Sequence, residues 1–208
     1  MGEARKNSVS QLSELYNVVI GIALSIAIYN AIDTKAYGIP IHAEFVSNVA
    51  SVLILIIPFY HGAVRHLFAT YVEDGGSTRI KSGALLADFV LLFIEGCVFV
   101  MIASLVSVTT KMAWAVVALL LLDTTWGFLA WLAFTGAQAQ YAEKKWAVIN
   151  TFTAVGIIVI LIFGESVFRM NEIAAQLGLL AILCLRTIVD YWQCWDFYFP
   201  AQSTEPNC

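Results

Sequence analysis

The sequence predicts an all-α integral membrane protein, a polytopic bundle of six transmembrane helices with no soluble domain. Of its 208 residues, 60% are hydrophobic and only 12% are charged, whereas soluble domains carry about 25% charged residues. The mean hydropathy is +0.81. The chain contains six apolar stretches separated by short polar segments, and each is close to the roughly 20 residues that span a bilayer.

The predicted helices belong to one transmembrane domain over residues 1–200, which a short cytoplasmic tail at 201–208 follows. We expect the helices at about 15–32, 43–71, 82–108, 112–135, 146–163 and 173–195. Ser8 and Gln11 form a capping box, so a helical lead-in is expected before the first span. Pro58 lies inside the second helix, where it removes a backbone hydrogen bond and predicts a kink.

Lys and Arg residues in the loops predict the orientation, because they are enriched on the cytoplasmic side of membrane proteins. With the N-terminus inside, the cytoplasmic residues are Arg5, Lys6, Arg79, Lys81, Lys144 and Lys145, and the outer ones are Lys35, Lys111 and Arg169. This distribution predicts a plasma (inner) membrane protein with cytoplasmic N- and C-termini. An aromatic belt is expected at the inner interface, formed by Tyr71, Tyr141, Trp146, Trp192 and Trp195.

Charged side chains within the apolar stretches point to a functional region. Counting about 1.5 Å per residue from each helix centre places Glu95, Asp123 and Arg186 in one layer near the membrane midplane. The same count places a second layer roughly 10–12 Å closer to the cytoplasm. This second layer contains Arg65, Asp88 and Asp190, and His61 is expected between the two layers.

Charges at these depths must be neutralised. Six isolated charges would cost roughly 15 kcal/mol on insertion scales, which is comparable with the stability of a whole protein. Each layer holds one Arg and two carboxyls, so one carboxyl per layer must be protonated, bind a cation or contact water. We therefore expect a polar cavity that opens to the cytoplasm. A purely structural role is the alternative, in which Arg186–Asp190 and Arg65–Asp88 hold helices together.

The buried network predicts a small channel or transporter for protons, small cations or a cationic solute. Its candidate site comprises Glu95, Asp123, Arg186, His61, Arg65, Asp88 and Asp190. An alternative is a non-transporting membrane sensor or a partner-binding subunit of a larger complex, which would use loop 73–83 and the cytoplasmic tail. A third interpretation is a membrane-embedded lipid-modifying enzyme, although no residue pattern positions a nucleophile.

The sequence indicates no cofactor or metal. The four cysteines, Cys97, Cys184, Cys194 and Cys208, lack zinc-site spacing, and His61 is the only histidine predicted within the bundle. The net charge of −4 argues against a nucleic-acid partner. The expected partners are the lipid bilayer, a cytoplasmic protein at loop 73–83 and a second copy of the chain. Small residues on the first helix predict a close-packing face for that copy, namely Gly21, Ala23, Ser25 and Ala27.

Overall fold

Helices form wherever the chain is apolar or rich in good helix formers. A computed structural model describes residues 2–32, 45–73, 82–133, 139–164 and 171–200, and the regular elements in these ranges are helices. They are α1 (Gly2–Ala31), α2 (Val46–Phe68), a π-helical turn (Ala69–Glu73), α3 (Ser82–Ser104), α4 (Thr109–Ala133), α5 (Ala139–Phe163), α6 (Glu172–Gln193) and the short α7 (Trp195–Tyr198). The tail at 201–208 and most of loop 73–83 lie outside the described residues.

Six of these helices are long and apolar enough to cross a membrane, as the sequence predicts. Their apolar spans contain 22 to 29 residues, or about 33–44 Å at 1.5 Å per residue. Large apolar side chains cover their outer surfaces; Phe152 is 74% exposed, Ile188 66% and Leu86 63%. An apolar surface of this extent is compatible with a membrane protein, because soluble monomers rarely expose large apolar patches.

Several helix ends differ from the predicted limits. α1 begins at Gly2, because a helix that has already nucleated extends at little cost and Val9 in its polar lead-in packs against Tyr71. α5 begins at Ala139 rather than at 146, where alanine, glutamine, glutamate and lysine all favour the helix. α3 ends at Ser104 rather than at 108, and a tight turn leads from there into α4.

Successive helices run in opposite directions through the bundle. The start of α1 packs against the end of α2 through Val9, Leu67 and Tyr71. The start of α5 packs against the end of α6 and α7 through Trp146 and Tyr198. We call this side of the bundle the terminal end, because α1 begins there and α7 lies there, and we call the opposite side the far end.

The bundle is packed with aliphatic and aromatic side chains from its middle to the far end. These belong to one cluster, and its largest fully buried members include Leu55, Phe99, Ile102, Leu119 and Leu120. Among the described residues of this half, the buried polar side chains are neutral. Asn48, for example, donates hydrogen bonds to the Val106 carbonyl at 2.8 Å and to Thr109 Oγ1 at 3.0 Å. The far half is therefore a conventional packed core.

α2 continues across Pro58 as one helix and then widens into the π-helical turn. Such turns are rare and occur frequently at functional sites. This one directs Tyr71 into the bundle, where its side chain is almost fully buried. The predicted belt position of Tyr71 is therefore wrong, and so is that of Trp146, which is also buried. Both rings carry a polar group that finds a hydrogen-bond partner inside the bundle, as buried Tyr and Trp usually do.

The predicted face of small residues on α1 is not a single face. Ala23 and Ala27 are buried within the bundle, whereas Gly21 and Ser25 are exposed. Residues two positions apart on a helix point in nearly opposite directions, since each residue turns the helix by about 100°. α1 instead approaches α3 closely at Gly96, where an added Cβ would lie 2.6 Å from a Val19 methyl group.

Candidate functional site

Arg186 on α6 lies at the centre of the buried polar region and is only 4% exposed. Its Nη1 atom is 3.4 Å from Asp190 Oδ2, one helical turn away. Its Nε atom donates a hydrogen bond of 3.0 Å to Asn150 Oδ1 on α5. The guanidinium also stacks over the Phe59 ring at 4.6 Å, a cation–π contact. The cation therefore faces the bundle interior and is paired, as an Arg within an apolar helix requires.

Asn150 joins Arg186 to the acids of the predicted midplane layer. Its Nδ2 group donates to Asp123 Oδ2 while its Oδ1 accepts from Arg186. Asp123 on α4 is in turn in hydrogen-bonding contact with Glu95 on α3. The structure thus brings the three predicted residues together, but through an amide that links the Arg to the acids. Glu95 Oε1 is buried and has no hydrogen-bond partner among the described residues.

Asp190 accepts hydrogen bonds from two aromatic side chains. Trp146 Nε1 donates to Oδ1 at 2.9 Å, and the Tyr198 hydroxyl lies 3.2 and 3.1 Å from the two carboxylate oxygens. Burial and the nearby Asp190 charge raise the pKa of Tyr198 well above its ordinary value, so the hydroxyl remains a donor. The tyrosine of α7, just beyond the last span, therefore completes the shell around Asp190.

A second polar cluster lies nearer the terminal end and is centred on His66. Its Nδ1 atom is 2.6 Å from Glu143 Oε1 on α5, and its Nε2 atom is 3.3 Å from Asp88 Oδ2 on α3. The Tyr71 hydroxyl donates to the same Asp88 oxygen at 2.5 Å. We call Asp88, His66 and Glu143 the histidine triad. All three side chains are buried.

Arg65 and Asp88, which the sequence places in one layer as a candidate ion pair, are not partners. Arg65 instead contacts Glu73 at 2.5 Å and donates from Nε to the Phe197 carbonyl at 2.8 Å. Neighbouring residues on a helix point about 100° apart, so His66 faces α3 and Arg65 faces the end of the chain. The predicted second layer is therefore wrong in its pairing.

His61 lies beside the aromatic end of the chain rather than between the two layers of charge. Its Nδ1 atom is 3.1 Å from the Tyr191 hydroxyl, and its ring lies 4.6 Å from that of Tyr198. It is half-buried and is not among the residues that line the cavity between the two polar clusters. The histidine inside the network is His66, contrary to the prediction that His61 alone lies within the bundle.

One cavity connects the two clusters. Seven charged or histidine side chains from five helices line it, namely His66, Asp88, Glu95, Asp123, Glu143, Arg186 and Asp190. About 40 Å³ of the space inside it can hold water. One water needs about 10–15 Å³ by that measure, so the cavity has room for about three.

Sequence reasoning missed three residues that connect this site. Glu143 falls in a segment that reads as a polar loop, and Asn150 reads as an ordinary polar residue of the fifth helix. His66 is adjacent to Arg65 and was not distinguished from it. A helical projection of α2 is the available signal, because it places His66 on the face of the buried residues Gly62 and Phe59.

The described residues contain no group of three His, Cys, Asp or Glu side chains placed to share a metal ion. Cys194, just beyond the last span, has its thiol pKa raised to about 12 by burial and by the Asp190 charge. It is therefore a neutral thiol at physiological pH and a poor nucleophile. A comparison of the chain with protein-family models, curated proteins and solved structures finds no match.

Proposed function

We propose that this chain is an integral membrane protein of the plasma membrane that moves protons or another small cation through its buried acidic cavity. The observation that carries the proposal is the cavity itself, whose lining includes five carboxyl groups against one arginine and one histidine. Ionisable residues inside membrane spans are rare and typically mark ion pathways or proton relays. A site with this excess of acid attracts positive charge.

The balance of charge supports the same conclusion. Arg186 compensates one carboxylate, with Asp190 as its direct partner. The remaining acids divide between the histidine triad and the Glu95–Asp123 contact. Two ionised carboxylates offer only acceptors, so Glu95 and Asp123 can share a hydrogen bond only when one of them holds a proton. Uptake and release of that positive charge is the elementary step that we propose.

The size of the cavity favours a proton or a small cation over a larger cationic solute. The roughly 40 Å³ of the cavity that can hold water is far below the roughly 300 Å³ at the lower end of ordinary ligand pockets. A larger solute would require the aromatic lining to move. The far half of the bundle is packed and apolar, so transfer across the whole membrane requires a second conformation in which the site opens to the far end.

We propose cytoplasmic N- and C-termini, which places the terminal end on the cytoplasmic side. Support comes from the six-to-three distribution of Lys and Arg between the two sides. The acidic cavity then lies in the cytoplasmic half of the membrane. A protein partner at loop 73–83 and assembly with a second copy also remain proposals, and the loop lies largely outside the described residues.

Purified protein in liposomes tests the proposal. A pH-sensitive dye inside the vesicles reports proton entry when a potassium gradient and valinomycin impose a membrane potential, and sodium or potassium flux is measured in parallel. We expect flux in the wild type and its loss in Glu95→Gln and Asp123→Asn, because each amide removes one proton-binding carboxyl from the site. Glu172→Gln is the matched control, since Glu172 is exposed at the start of α6 and should leave flux unchanged.

Absence of proton and cation flux in folded wild-type protein would contradict the proposal. It would favour the alternative of a non-transporting sensor or a subunit of a larger complex. The lipid-modifying enzyme has less support, because the described cysteine nearest the site, Cys194, is held in its unreactive neutral form.

A further inference from the structure

We infer that the species handled is the proton, and that the histidine triad is the relay that carries it between the terminal end and the Glu95–Asp123 pair. The inference rests on the proposed function, because it names the ion and the entry route of the same cavity. It begins from His66, which contacts one carboxyl through each ring nitrogen.

An imidazole between two carboxyls is well suited to proton transfer. It can accept a proton on one nitrogen and release a different proton from the other. His66 lies between α3 and α5, with Asp88 3.3 Å from Nε2 and Glu143 2.6 Å from Nδ1. Both distances are within hydrogen-bond range, but the Nδ1–Glu143 contact is not aligned as a hydrogen bond in this structure. A small rotation of the ring would align it for transfer between the two carboxyls.

The transfer moves one proton and conserves charge. A proton bound to Asp88 moves to Nε2 of a neutral ring whose Nδ1 already carries hydrogen, and the Nδ1 proton passes to the Glu143 carboxylate. Asp88 becomes a carboxylate, Glu143 becomes a carboxylic acid and the ring stays neutral in its other tautomer. One proton has moved from α3 to α5. Reverse transfer, or rotation of the ring, restores the starting tautomer.

On the side of the terminal end, the relay has a polar connection through Tyr71. The Tyr71 hydroxyl donates to Asp88 Oδ2 at 2.5 Å and is in turn under the electrostatic influence of Arg5 at the start of α1. Asp88 Oδ1 is buried and has no hydrogen-bond partner among the described residues. This oxygen is a free acceptor at which a proton can arrive.

On the inner side, the cavity bridges the relay to the acid pair. Glu143, the proton acceptor of the relay, lines the same cavity as Glu95 and Asp123, and its charge acts on both acids. Water molecules in that cavity, which has room for about three, can connect Glu143 with the acid pair. Glu95 Oε1 is the second buried carboxylate oxygen without a partner among the described residues. It lines the same cavity and is the natural end of the water chain.

A structural role for His66 is the competing explanation, since an imidazolium between two carboxylates also holds three helices together. The substitution His66→Gln distinguishes the two roles. The glutamine amide can hydrogen-bond to both carboxyls but cannot pass a proton from one to the other. His66→Gln should therefore keep the fold and lose the relay, and Glu143→Gln removes the acceptor on the inner side by an isosteric change.

The test uses the full-length protein in the dye-loaded liposomes, with thermal stability of each purified variant measured in parallel. We expect proton flux in His66→Gln to fall roughly tenfold or more, the lower range of general acid–base effects, while the melting temperature changes little. Proton flux in Glu143→Gln should fall by a similar factor, and proton flux in Glu172→Gln should equal that of the wild type. Wild-type sodium and potassium flux should be absent.

The outcomes distinguish failure of the relay from failure of the proposed function. Normal proton flux in folded His66→Gln, together with loss in Glu95→Gln, overturns the relay and leaves transport intact. Sodium or potassium flux without proton flux overturns the proton as the species. Absence of all flux in the wild type overturns the proposed function. If His66→Gln does not fold, Glu143→Gln and Asp88→Asn decide the question, and normal flux in both overturns the relay.

Discussion

The two halves of this bundle solve the problem of buried polar groups differently. In the far half, Asn48 donates hydrogen bonds to a carbonyl and a hydroxyl, and aliphatic side chains make up the surrounding core. In the terminal half, charged groups form shared networks around a cavity, and Asp88, Glu95 and Arg186 each keep a polar atom without a hydrogen bond within the described protein. Asn48 Oδ1 in the far half also has no hydrogen bond among the described residues, so the difference between the halves is that the unpartnered atoms of the terminal half include those of charged side chains around a cavity.

The largest expected effect lies in the terminal half. Arg186→Leu removes the fixed cation and should destabilise the protein by roughly 3–5 kcal/mol, the usual result of leaving a buried charge without its partner. Adding Asp190→Asn should recover more of that loss than adding Asp123→Asn. The reason is that Asp190 is the direct ion partner at 3.4 Å, whereas Asp123 contacts Arg186 through Asn150.

Unfolding of the three variants in detergent, followed by circular dichroism, measures these differences. Equal recovery by the two second substitutions would mean that Arg186 balances both acids equally. Strictly additive losses would show that neither acid is coupled to the arginine. Flux should not return in any of the double variants, because each lacks a charge of the proposed site.

A core substitution in the middle of α4 sharpens the comparison, because it should affect stability without affecting transport. Leu119→Ala leaves a cavity at a fully buried position of the apolar core and should cost roughly 2–5 kcal/mol. Proton flux per folded molecule should remain that of the wild type. Thermal unfolding and the liposome assay measure the two quantities, and a large loss of flux in well-folded protein would contradict the separation of the halves.

The smallest expected effect is at Asn48. Asn48→Ala removes hydrogen bonds to the Val106 carbonyl and to Thr109, and interhelical hydrogen bonds within membranes contribute about 0.6 kcal/mol on average, with a maximum near 1.7. We expect a loss of stability within that range and normal flux. A loss as large as that of Arg186→Leu would mean that the far half also depends on its polar contacts.

The number of long apolar helices and the buried position of the key charges could be read from the sequence. Apolar length is a local property, so six stretches long enough to span a membrane predict six helices whatever their packing. The same reasoning identified Arg186, Asp123 and Glu95, because a charge in the middle of an apolar helix must find partners inside the bundle. The structure brings these three side chains together.

The choice of partner was decided by the tertiary structure alone. Arg65 and His66 are neighbours in sequence, and only the rotation of α2 determines that the histidine meets Asp88 while the arginine meets Glu73. Glu143 became part of the site because α5 begins seven residues before its apolar stretch. Burial depth follows from composition along one helix, whereas contacts depend on how several helices rotate and pack against one another. A single sequence does not contain that rotation in any local pattern.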